Sequence, residues 1–66
     1  MRITVNSEPR EVAERQTLEA LLRDLGLDKS PCAAEVNRTL VPKREHASRE
    51  LREGDMVELV TLVGGG

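Results

Sequence analysis

Apolar side chains occupy every second position in the first five residues, at Met1, Ile3 and Val5. This period-two pattern is typical of a strand with one buried face. A polar segment with turn-forming residues follows, and a second short strand begins at Pro9, where proline is tolerated at a strand start or edge. The pattern therefore predicts a β-hairpin over residues 1–13.

The apolar spacing then changes to three and four residues. Four leucines recur at these helical intervals: Leu18, Leu21, Leu22 and Leu25. Thr17 is a favourable N-cap, and Gly26 stands where a left-handed residue commonly ends a helix. The segment between them is predicted to be one amphipathic helix whose leucine face covers the sheet.

Three further strands are predicted in the second half of the chain: residues 32–36, 39–41 and 56–63. Pro42 is expected to open a short helical turn over residues 42–47, and Leu51 is expected to be a core residue. In the last strand, Val57 and Leu59 should face the core. The order of elements predicts an α+β fold, with one main helix packed across a mixed four- to five-stranded sheet. The last strand is expected to pair in parallel with the first.

The last predicted strand runs into three glycines, Gly64, Gly65 and Gly66. Because glycine has no Cβ, such a thread adds nothing to a core, but it fits a channel too narrow for other residues. Its tip is the α-carboxylate of Gly66, which is ionised near neutral pH and can be activated in another protein's active site. The alternatives are a frayed chain end and an expression scar. We expect a domain over residues 1–63 and a flexible tail over 64–66.

Composition narrows the range of functions. The 66 residues include no Phe, Tyr or Trp, and 10 basic and 12 acidic residues give a net charge of −2. Without a basic face or aromatic side chains, nucleic-acid binding has little support. The apolar stretch at residues 1–5 is too short and too polar to be a signal peptide or a membrane span. So small a chain has little room for an enclosed active site, and we expect a cytoplasmic carrier or binding module, monomeric when free, rather than an enzyme.

Few side chains are candidates for chemistry. Cys32 is the single cysteine, which excludes an internal disulfide. It is expected to be a small apolar strand residue rather than a redox or sulfur-relay thiol. His46 has no second histidine or nearby cysteine and is expected to be a solvated loop residue. No metal ligand set and no catalytic triad is predicted.

Six short motifs follow one another along the chain: Met-Arg-Ile-Thr-Val at 1–5, Gln-Thr-Leu at 16–18, Val-Asn at 36–37, Val-Pro at 41–42, Glu-Gly-Asp at 53–55 and Gly-Gly at 65–66. In this order and spacing they resemble the ThiS-type sulfur carriers, a family of small ubiquitin-like β-grasp proteins. The resemblance covers the whole chain. It implies a β-grasp fold and a role in thiamine biosynthesis.

The resemblance also implies a mechanism that depends on Gly66. A ThiF-like adenylyltransferase uses ATP and Mg²⁺ to convert the terminal carboxylate into an acyl-adenylate, and sulfur derived from cysteine through a persulfide replaces AMP. A ThiG-like thiazole synthase then takes sulfur from the resulting thiocarboxylate. The carrier is a co-substrate that binds no cofactor itself.

Val60 and Leu62 are expected on the face of the last strand opposite the core residues. They are interpreted either as ordinary apolar positions or as a docking patch for the adenylyltransferase. Two alternatives to thiamine biosynthesis stay open. One is a sulfur carrier for molybdopterin, amino-acid biosynthesis or tRNA thiolation, and the other is a β-grasp interaction module with no carrier role.

Overall fold

The computed structural model describes residues 1–61, which form five strands, one α-helix and a 3₁₀ turn. In chain order these are β1 (Arg2–Val5), β2 (Glu8–Glu11), α1 (Leu18–Asp24), β3 (Cys32–Val36), β4 (Thr39–Val41), the 3₁₀ turn (Lys43–Glu45) and β5 (Met56–Thr61). The predicted bounds of β3 and β4 are confirmed. The predicted tail, residues 64–66, and the end of the last predicted strand lie outside the described residues.

The strands form one mixed sheet in the order β2-β1-β5-β3-β4. Both hairpins are antiparallel, β5 is antiparallel to β3, and β5 is parallel to β1. The predicted pairing of the last strand with the first is therefore confirmed. β5 lies at the centre of the sheet with a hydrogen-bonded neighbour on each side.

Local chemistry fixes both ends of α1. The Thr17 hydroxyl accepts a hydrogen bond from the backbone N–H of Ala20 at 3.1 Å, as the predicted N-cap requires. At the other end Gly26 has φ +74°, and the N–H of Leu27 donates to the carbonyl of Leu22 at 2.8 Å. This is the bond that closes a Schellman motif, in which glycine is favoured because φ is positive.

The core lies between α1 and the sheet face that it covers. Its buried apolar residues are Ile3, Val12, Leu18, Leu21, Leu22, Ala34, Val36, Val41, Leu51, Val57 and Leu59. The predicted inward positions Leu51, Val57 and Leu59 are confirmed. Leu25, the last leucine of the helical stripe, is only half-buried because it is the C-cap residue of α1.

The short helical turn expected over residues 42–47 is present as the 3₁₀ turn. Pro42 is its N-cap residue, in extended conformation with ψ 151°, and the carbonyl of Pro42 accepts from the N–H of Glu45 at 2.8 Å. The expectation that His46 is a solvated loop residue is wrong. His46 is 6% exposed, and its Nε2 donates to the carbonyl of Val41 at 3.0 Å. The physical reason is that this loop caps α1: the carbonyl of His46 accepts from the N–H of Glu19 at 3.0 Å, and that of Arg49 from Leu18 at 2.9 Å. The N-terminal N–H groups of a helix need such acceptors, and the contact turns His46 inward.

Candidate functional site

The candidate site begins where β5 leads toward the glycines. Thr61 is paired with Cys32 of β3, and Val60 with Ala33, so the last described residues are held within the sheet ladder. Leu62, Gly64, Gly65 and Gly66, which the sequence singled out, lie outside the described residues. Val60 is therefore the one predicted site residue that the structure places.

The side chain of Asn6 holds β5 beyond the point where β1 ends. Its Oδ1 accepts from the N–H of Leu59 at 2.8 Å, and its Nδ2 donates to the carbonyl of Leu59 at 3.3 Å. The backbone N–H of Asn6 donates to the carbonyl of Val57 at 2.8 Å. One amide side chain thus continues the β1–β5 ladder by a further step, two residues before Thr61. Asn6 has φ 49°, a left-handed conformation that asparagine tolerates better than most residues.

Replacing Asn6 should weaken this end of β5. In Asn6→Gly the positive φ is retained but both hydrogen bonds to Leu59 are lost, and we expect the free energy of unfolding to fall by about 1–2 kcal/mol. Asn6→Ala adds the strain of a left-handed alanine and should cost roughly 1–2 kcal/mol more. Urea unfolding followed by far-ultraviolet circular dichroism measures both changes.

Ser7→Gly is the matched control for this pair, since Ser7 also has a positive φ, 73°, and its side chain makes no hydrogen bond to β5. It should be neutral or stabilising. Equal stability of Asn6→Gly and the wild type would show that the Leu59 hydrogen bonds contribute nothing.

A second asparagine holds the beginning of β5. Asn37, in the β3–β4 turn with φ 52°, accepts from the N–H of Met56 through Oδ1 at 2.9 Å and donates through Nδ2 to the buried carboxylate of Asp55 at 3.0 Å. The other carboxylate oxygen of Asp55 accepts from the N–H of Arg52 at 2.8 Å. β5 is therefore held near both of its described ends by side chains from distant turns. This makes it a firm base for whatever follows Thr61.

The sheet face opposite α1 is exposed. Val60 is 58% exposed on this face, which confirms its predicted orientation away from Val57 and Leu59. The structure adds two large apolar residues that the sequence analysis did not select, Leu40 at 62% and Met56 at 46% exposure. Alternation on β4 could have indicated Leu40, because Val41 is inward and its neighbour must point outward.

Cys32 is half-buried beside the core, as predicted for a small apolar strand residue. Burial raises the pKa of its thiol, and a backbone hydrogen bond from Val60 lowers the pKa to a smaller extent. A raised pKa means less thiolate near neutral pH and hence a poorer nucleophile. Its environment therefore does not favour a sulfur-relay role.

Two further properties concern residues 1–61. Over this range no cluster of three or more His, Cys, Asp or Glu side chains is arranged to hold a metal ion. Within the same range, no helix has both the length and the apolar character that crossing a bilayer requires.

Comparison with known proteins places these features in a family context. The model of the ThiS family matches residues 3–66. A thiazole synthase of Paramagnetospirillum magneticum is 39% identical over 66 residues, which are 100% of this chain and 20% of that protein. The chain thus spans about a fifth of that relative's length.

A sulfur carrier protein ThiS of Thermus thermophilus is 36% identical over 64 residues, 97% of this chain and 98% of that protein. Among solved structures, the thiamine biosynthesis protein (ThiS) of Geobacter metallireducens superposes with a TM-score of 0.84 at 29% identity, over 100% of both chains. This likeness confirms the β-grasp fold that the sequence resemblance implies.

Proposed function

The chain belongs to the ThiS family of sulfur carriers, and from this we propose that the α-carboxylate of Gly66 is adenylated and then converted to a thiocarboxylate. The thiocarboxylate donates sulfur for thiazole formation in thiamine biosynthesis. The observation that carries the proposal is the family match, which runs through residue 66 and so includes the whole glycine run.

The fold supports the delivery of Gly66 to a partner. β5 is paired with β3 up to Thr61, five residues before Gly66, and on its other side β1 and the Asn6 side chain hold it as far as Leu59. Five residues span at most about 18 Å when fully extended. When a partner binds the sheet, the Gly66 carboxylate therefore lies within a short distance of the bound surface. This tether raises the local concentration of the carboxylate at the partner's active site.

The chemistry requires little of this chain beyond the carboxylate. A carboxylate is a poor acyl donor because its oxygen is a poor leaving group. Attack of a Gly66 oxygen on the α-phosphorus of ATP, with release of pyrophosphate, converts that oxygen into part of AMP. A sulfur nucleophile then attacks the acyl carbon and releases AMP. With sulfide the product is the thiocarboxylate; with a persulfide it is an acyl disulfide, which a thiol must cleave to give the thiocarboxylate and a new disulfide. ATP, its Mg²⁺ and the catalytic groups belong to a ThiF-like adenylyltransferase.

The consumer of the sulfur is proposed to be a ThiG-like thiazole synthase. In the Paramagnetospirillum magneticum relative, named a thiazole synthase, a segment similar to this whole chain occupies a fifth of one polypeptide. A carrier and an enzyme that share one chain are expected to work on the same reaction. This favours thiamine biosynthesis over the molybdopterin, amino-acid and tRNA pathways.

Intact-mass spectrometry tests the proposal. Incubation with the adenylyltransferase of the same organism, Mg²⁺, ATP and a sulfur source should raise the protein mass by the difference between one sulfur and one oxygen atom. A variant without Gly65 and Gly66 should show no increase. Adding thiazole synthase and its other substrates should return the mass to its starting value.

An unchanged mass, or an increase that survives the deletion, would contradict the carrier mechanism. An increase that thiazole synthase does not reverse would retain the carrier and assign it to another pathway.

A further inference from the structure

Two carboxylates face each other at the centre of the exposed sheet face. Glu35 of β3 and Glu58 of β5 are directly paired in the antiparallel ladder and both are exposed. Paired residues of this kind project to the same side of a sheet, and like charges directly opposite each other are destabilising. The fold therefore carries an unfavourable pair on two central, well-paired strands.

No Lys or Arg side chain within residues 1–61 forms an ion pair with either glutamate. The ion pairs formed within residues 1–61 involve other acids, and Arg2, which lies on the same sheet face, is paired with Glu11 at 3.2 Å. Glu35 and Glu58 thus present their charge outward. The arrangement favours binding of a positive group supplied from outside.

Apolar side chains surround the two glutamates. Leu40 is paired with Glu35 across the β3–β4 ladder, while Met56 and Val60 are two residues to either side of Glu58 on the same face of β5. These three are the large apolar residues that are exposed within residues 1–61. Once a partner is bound, these apolar side chains can exclude water from the charged centre, as the near-neutral contacts around a binding hot spot do.

We propose that this surface, the acidic patch of Glu35, Glu58, Leu40, Met56 and Val60, docks a protein that inserts an arginine between the two carboxylates. That protein is the adenylyltransferase that receives Gly66, so the inference rests on the proposed function. A guanidinium matches the patch better than an ammonium because its planar fork can donate to two carboxylates at once. Apolar side chains of the partner then cover the surrounding ring.

Position and charge favour this occupant over others. Val60 is six residues from Gly66, at most about 22 Å when extended, so a protein bound here lies within reach of the carboxylate. Nucleic acid and anionic lipid would be repelled by the glutamates. A second copy of the chain, docked through the same face, would bring four carboxylates together.

The double variant Glu35→Gln/Glu58→Gln tests the patch, and Glu14→Gln/Glu50→Gln removes the same charge from exposed positions elsewhere. With the purified adenylyltransferase of the same organism, the first should raise Kd by at least about tenfold at low salt, and the control should leave Kd almost unchanged. Rising NaCl should weaken wild-type binding and affect the double variant much less. The double variant should melt at the wild-type temperature or above, because a repulsion has been removed.

Leu40→Ala tests the apolar ring and should weaken binding severalfold at every salt concentration. The docking proposal is overturned if the double glutamine variant binds like wild type, or if the charge-matched control weakens binding equally.

Intact mass, measured on the same wild-type samples, separates this proposal from the carrier function. Normal thiocarboxylate formation by the wild type, together with unchanged binding of the double variant, would overturn the docking proposal alone. Glutamate-dependent binding with no change of mass would overturn the carrier mechanism alone.

Discussion

Deletion of Gly66 alone should lower the rate of adenylate formation by at least about a hundredfold, while the affinity for the adenylyltransferase stays nearly unchanged. The deletion leaves a carboxylate on Gly65, but it shortens the thread by roughly 3.3–3.6 Å. The new carboxylate therefore falls short of the attack position on ATP. Docking is unaffected because Val60 and the rest of the acidic patch are retained. ATP–pyrophosphate exchange measures the first quantity and equilibrium binding measures the second.

Gly64→Ala is the length-matched comparison for this deletion. It keeps the reach of the thread and adds one methyl group, so we expect a smaller loss of exchange activity than in the deletion variant. Full exchange activity after deletion of Gly66 would contradict a positional role for the last residue. A large loss of affinity would instead place part of the docking energy in the tail.

Local sequence signals were sufficient for most of the fold. The bounds of β3 and β4 follow from short apolar runs in the sequence, and the ends of α1 from Thr17 and Gly26. Each of these signals acts over a few residues, through turn chemistry or capping. Such signals are readable without knowing which strands are neighbours.

Features that depend on distant pairing were not predictable in this way. Glu35 and Glu58 are separated by 23 positions in the sequence, and only the β3–β5 register makes them neighbours. A shift of one residue in that register would place them on different faces. Likewise, Asn6 lies in the polar turn segment that follows the first strand, but its hydrogen bonds to Leu59 join residues 53 positions apart.

For the candidate site, too, local sequence patterns predict some features and not others. The orientation of Val60 followed from strand alternation and is confirmed by its exposure. Its role in docking, and those of Leu62 and the glycines, stay predictions. The expectation that His46 is solvated is wrong because the polar sequence around it favours exposure, whereas its burial follows from contacts with the first turn of α1.

The second large effect is expected in the core. Leu21 is 0% exposed on the inward face of α1, and Leu21→Ala should lower the free energy of unfolding by about 2–5 kcal/mol. Alanine is a better helix former than leucine, so the loss reports packing and not helix propensity. A domain of this size has a total stability of roughly 3–10 kcal/mol. The substitution therefore removes a large share of the total and should lower Tm by at least about 10 °C.

Leu40→Ala makes the same chemical change on the exposed face, where Leu40 is 62% exposed, and should alter stability by no more than about 0.5 kcal/mol. Because the sequence contains no Phe, Tyr or Trp, far-ultraviolet circular dichroism is the suitable probe of unfolding for both variants. Similar losses in the two would mean that the α1–sheet interface does not dominate stability. The expected contrast is a destabilised Leu21→Ala and a stable Leu40→Ala that binds its partner weakly. That result would assign one sheet face to folding and the other to recognition.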